Sequence, residues 1–101
     1  MESGYSLIEK ASQACGSRYK LAKALQEDLS FLGKVASGKN PMPPSLAARM
    51  AAIAGVDAKR AAMEAVVSQE KNYEKQIALA QALGLPVPPP PISNGVTVQL
   101  A

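Results

Sequence analysis

The sequence predicts a small all-α bundle of about five helices, followed by a Pro-rich C-terminal tail. Three observations carry that expectation. Apolar residues recur at i, i+3, i+4 and i+7 rather than in alternation. Ser, Asp and Gly stand where short helices would begin and end. Apolar residues make up 48% of the 101-residue chain, yet there is one Phe and no Trp, so the core must come mostly from Ala, Leu, Val, Met and Ile. Such a core is thin and suits short helices in close contact, and β-branched residues gather only near the end.

The first apolar stripe, Tyr5, Leu7, Ile8, Ala11, Ala14 and Cys15, opposes Glu9, Lys10 and Gln13. It predicts a helix capped by Ser6 and ended by Gly16. Ser17 then caps a short second helix, with Tyr19, Leu21, Ala22 and Leu25 facing inward and Lys20 and Lys23 outward. Asp28 suits the N-cap of a third helix over residues 29–36, because its carboxylate can accept from the free amides of the first turn. Gly38 is placed to end that helix in the left-handed conformation. Residues 39–44, with three prolines, form a stiff connector.

Ser45 caps a fourth helix over residues 46–54, which Gly55 closes. Asp57 caps a long Ala-rich segment, residues 58–83, ended by Gly84 and Pro86. Residues 68–72 are entirely polar, so a bend or short loop is expected near 69–72. Residues 86–91 read as extended polyproline, more suited to a spacer than to a ligand for an aromatic groove. In residues 92–101, Val96, Val98 and Leu100 alternate, which fits either a short strand or an untethered tail. The expected organisation is a helical domain at 1–68, a C-terminal helix at 69–85 and a Pro-rich extended tail at 86–101.

The formal charge of +3 is compatible with nucleic acid, but charge alone favours an ordinary solvated surface. The single Cys15 cannot form an internal disulfide and is expected as a small buried apolar residue. With no His, scattered carboxylates and no phosphate-cradling glycine loop, the sequence offers no catalytic constellation, metal site or cofactor site. It also has no bilayer-length apolar run and no signal-peptide pattern at its start, so no membrane partner is expected. The expected location is the cytoplasm of a bacterial or phage-infected cell. Phe31, the lone phenylalanine, is expected in the core.

Residues 17–40 carry the functional signal. A short helix with small Ala22 at its middle, a tight turn and a second short helix with Leu32 and Val35 form the pattern of a helix-turn-helix. Ala22 must be small because the second helix crosses closely over it, while Leu25, Leu32 and Val35 fill the wedge. Residues 19–25 and 30–39 resemble the helix-turn-helix of lambda-repressor and Cro-type (Xre family) proteins. Asn40-Pro41-Met42-Pro43 and the helix from Leu46 are similar to the segment downstream of that motif in small phage-related regulators. The resemblance covers about residues 5 to 67.

That resemblance implies binding to double-stranded DNA, with no enzymatic activity, by a phage or prophage transcriptional regulator acting as a homodimer. Base contacts then fall to Leu29, Ser30, Gly33 and Lys34, and phosphate contacts to Ser17, Lys20, Lys39 and Asn40. Tyr73, Ile77 and Leu83 are the candidate dimer contacts, with the segment around Val96, Val98 and Leu100 as another. Two positions depart from the family pattern. Gln26 stands where glycine is usual, and a positive φ there would cost it about 1 kcal/mol. Glu27 replaces an apolar residue, so Leu29 is expected to take the buried place through a shifted turn. Glu27 and Asp28 also set negative charge at the end of the helix that would meet phosphates. The alternative function is a phage protein-binding module that uses the same scaffold to inhibit a host protein.

Overall fold

The computed structural model describes residues 4–90, and over them the chain is all-helical. Its helices are α1 (Gly4–Cys15), α2 (Arg18–Leu25), α3 (Leu29–Ala36), α4 (Pro44–Ala54), α5 (Ala58–Ser68) and α6 (Tyr73–Ala82). The sixth arises because the long Ala-rich segment divides at the polar stretch. Asn72 starts a new helix there, its side chain accepting from the Lys75 amide at 3.0 Å. No strand occurs among the described residues, and the segment around Val96, Val98 and Leu100 lies outside them. None of the described helices is long and apolar enough to cross a membrane.

Most helix starts follow side-chain chemistry. Ser17, Asp28 and Asp57 each leave the helical conformation and accept from an amide of the first turn. Two expected caps are corrected. α1 already includes Gly4 and Tyr5, so Ser6 lies within its first turn. α4 begins at Pro44 with extended Pro43 before it, so Ser45 is a second helical residue rather than the cap. The proline ring presets the φ that a first helical position requires and has no amide to leave unpaired, which moves the start upstream.

Helices α2, α3, α4 and α6 end alike. An amide just past each helix bonds back across five residues: Glu27 to Ala22, Lys39 to Lys34, Val56 to Ala51 and Leu85 to Ala80, all at 2.8–3.0 Å. This closure needs one left-handed residue. Gly38, Gly55 and Gly84 supply it in three cases, and Gln26 at φ 57° in the fourth. Replacing Gln26 with Gly should therefore stabilise the protein by about 0.5–1 kcal/mol. Relief of left-handed strain outweighs the added freedom of the unfolded chain. A urea titration should show a higher midpoint at unchanged slope.

The core gathers at α4, which packs on α1, α2 and α5. Ile8, Leu21, Leu25, Leu32, Leu46 and Met50 are fully enclosed. Between them sit buried Ala11, Ala22, Ala47 and Ala51, small enough to let helix axes approach closely. Phe31 and Cys15 only half-enter this core, packing against its edge. Tyr19 does not enter it: the ring is 58% exposed, with the Lys23 ammonium 5.4 Å from its centroid. At 100° per residue, Tyr19 stands about 200° from Leu21, on the opposite side of the helix.

The helix α6 packs on α5 alone among the helices. Two long-range bonds secure this end of the molecule. The Gln69 side-chain amide donates to the Met42 carbonyl at 3.1 Å, tying the α5–α6 loop to the proline connector. The Tyr73 hydroxyl donates to the Pro88 carbonyl at 3.0 Å, so the polyproline segment folds back against α6. Leu85 to Pro89 also border a shallow hollow with buried Glu64, whose carboxylate pairs with Arg60 at 3.0 Å.

Candidate nucleic-acid interface

The turn between α2 and α3 is three residues long, and its geometry follows from Gln26. Its left-handed backbone reverses the chain, and extended Asp28 then opens α3. α2 and α3 pack on each other, and Ala22, only 3% exposed, lies with Leu25, Leu32 and Val35 in the same buried cluster. Leu29 does not shift into the buried place next to the turn; it is 43% exposed. Half-buried Glu27 holds that position instead.

Glu27 can do so because of Arg49, on α4. One guanidinium nitrogen donates to the Leu25 carbonyl at 2.8 Å and another to the Glu27 carboxylate at 3.2 Å. The same side chain thus ties down the end of α2 and neutralises the acid that comes after it. Sequence reasoning missed Arg49, since no local signal links it to a turn more than twenty residues earlier. Arg18 and Glu9 form a comparable pair at 3.2 Å between α2 and α1.

Among the described helices, α3 packs only on α1 and α2, so its outer side is uncovered. Leu29, Ser30 and Lys34 are exposed there, and Gly33 is half-exposed between them. On a helical projection these four residues span about 140°. The structure therefore brings together all four residues expected to read bases. Ser30 is partly engaged, its hydroxyl donating to the Asp28 carboxylate at 3.0 Å while its amide donates to the same group at 3.3 Å. What Ser30 and Asp28 offer outward is consequently acceptor capacity.

The residues expected at phosphates form two groups. Lys39 and Asn40 both hang by their amides on the Lys34 carbonyl, at 2.9 and 3.2 Å, which sets them at the C-terminal end of α3 beside Lys34. Ser17 and Lys20 lie at the start of α2. The Ser17 hydroxyl accepts from the Lys20 amide at 3.1 Å and keeps its proton for another acceptor. The Lys20 ammonium lies beside Gly16, where α1 ends. Lys20, Lys23, Lys34 and Lys39 are exposed and make no ion pair among the described residues.

The candidate dimer residues are less open. Tyr73, Ile77 and Leu83 are half-buried, and the Tyr73 hydroxyl already bonds within the chain. Among the described residues no cluster of three or more metal-ligating side chains occurs. No protein-family model matches the chain, and comparison with curated proteins and with solved structures returns no match.

Proposed function

We propose that this protein is a DNA-binding transcriptional regulator of phage or prophage origin that reads operator DNA in the major groove with α3, as a homodimer. The observation that carries the reading is the α2–α3 pair itself. Two short helices joined by a three-residue turn pack on each other with Ala22 buried, and the outer side of the second is left uncovered by any other described helix. Its exposed residues divide by role. Lys34 donates to guanine acceptors, while Ser17, Lys20, Lys39 and Asn40 hold phosphates on either side. The negative charge that would oppose this is reduced at Glu27, which is paired with Arg49, while Asp28 caps α3 and stays exposed.

Two lysines at phosphates in each subunit give a dimer that neutralises about four phosphates. The logarithm of affinity should then fall against that of salt with a slope of about −3 to −4. A gel-shift titration over rising salt measures this directly, and no binding even at low ionic strength rejects the reading. Substituting both Lys34 and Lys39 with Ala should remove measurable binding while leaving the thermal melt unchanged, since both side chains are exposed.

One observation favours the second reading, a module that binds and inhibits a host protein. Tyr19 is a large exposed ring on α2, of the kind enriched at protein interfaces. Under that reading the double lysine variant still captures its partner, Tyr19→Ala loses it, and nuclease treatment changes neither result.

A further inference from the structure

Gly33 is destabilising where it stands. It sits inside the eight-residue α3, in ordinary helical conformation, where glycine costs about 1 kcal/mol relative to alanine. Every other described glycine outside the first turn of α1 has a positive φ that accounts for it. Gly33 has none, and a Cβ built there would meet nothing within 4 Å. Nothing inside the protein requires the missing side chain. The vacancy faces outward, in the middle of the exposed sector of α3. Leu29, one turn earlier and about 40° away on the helical projection, is the exposed apolar residue next to this open notch in the side-chain cover.

From this notch we infer that α3 selects thymine, seating the C5-methyl group of the base against Leu29 and over the bare backbone of Gly33. The inference rests on the DNA-binding reading above and names the base feature that the same surface recognises. In the major groove only thymine presents a methyl group, and an aliphatic side chain is its natural contact. The neighbouring groups fit the same base pair. Ser30 donates its proton to Asp28, so this pair offers acceptors to an exocyclic amino group such as the adenine N6 opposite thymine. Four exposed lysines, Lys20, Lys23, Lys34 and Lys39, lie on α2 and at the end of α3, which matches the notch to a polyanion rather than to an acidic protein-binding face with an apolar centre.

The test begins with selection of a binding site from a randomised duplex pool by the wild-type protein. Each thymine of the selected site is then replaced singly with deoxyuridine, which removes only the methyl group. The expected result is one position per half-site where the replacement weakens wild-type binding about fourfold, as the transfer of one buried methyl from water predicts. That penalty should vanish in Leu29→Ala. Gly33→Ala should unfold at a higher urea concentration than wild type and yet bind the selected site at least tenfold more weakly, an opposition that a purely structural glycine would not produce. Indifference of wild-type binding to every deoxyuridine, or an equal penalty in Leu29→Ala, overturns the inference and leaves DNA binding standing. Failure of the pool to yield any bound duplex at low salt overturns both.

Discussion

Enlarging Ala22 to Leu should destabilise the protein by about 1–3 kcal/mol and lower its melting temperature by roughly 5–20 °C. The side chain is 3% exposed within the core cluster, and its neighbours Leu21 and Leu25 are fully enclosed. A larger residue can be admitted only by moving a packed helix away from α2 or forcing a strained rotamer. A shift of α2 within the bundle also changes the direction of the exposed sector of α3, which packs on it. The loss of DNA affinity should therefore exceed what the unfolded fraction explains when binding is measured well below the melting temperature. Ala22→Gly serves as the control. It adds no bulk, so it should lower stability through helix propensity and the loss of one buried methyl, by about 1–2 kcal/mol, with affinity retained in the folded fraction.

Arg49→Ala should cost about 1–2 kcal/mol in stability and about tenfold in DNA affinity, by two separable routes. The stability loss comes from the Leu25 carbonyl, which loses its 2.8 Å donor just where the backbone enters the strained Gln26 conformation. The figure is held down because the Arg49 side chain is half exposed and its ion pair with Glu27 is screened by solvent. The affinity loss comes from Glu27, left as an unpaired negative charge immediately before the helix that would approach phosphates under the proposed reading. Adding Glu27→Gln to the Arg49 variant should restore most of the affinity at low salt without restoring the melting temperature. Gel shift and thermal denaturation on the single and double variants check both halves. A double variant that binds no better than Arg49→Ala would assign the loss to the turn's shape instead.

The features legible in the sequence are those decided within a few residues. Ser17, Asp28 and Asp57 announce helix starts because a short oxygen-bearing side chain reaches the amides just ahead of it, and Gly55 or Gly84 announce ends because the left-handed closure is local. The division near residues 69–72 is visible because a helix polar on all sides has no face to bury. Tyr19 is misplaced by periodicity because a helix of eight residues offers too few apolar positions to define its inward side, which Leu21, Ala22 and Leu25 already fill. Leu29 is expected to compensate for Glu27 only because the sequence alone cannot reveal a cation arriving from α4. Once Arg49 supplies that charge, Glu27 stays at the turn and Leu29 is free to face outward. The open sector of α3 depends in the same way on which helices leave it uncovered.

The seam between α6 and α5 bears on how two copies would be arranged along DNA. No other described helix braces α6; the Tyr73 bond to the polyproline segment and the Gln69 bond at its base add to its anchorage. A pairing made through α6 would hold the two reading heads at the end of an arm with a single shoulder, whereas one made through α4 and α5 would hold them against the rigid centre of the molecule. The first arrangement accommodates operators whose halves differ in separation by a base pair or so; the second insists on one spacing.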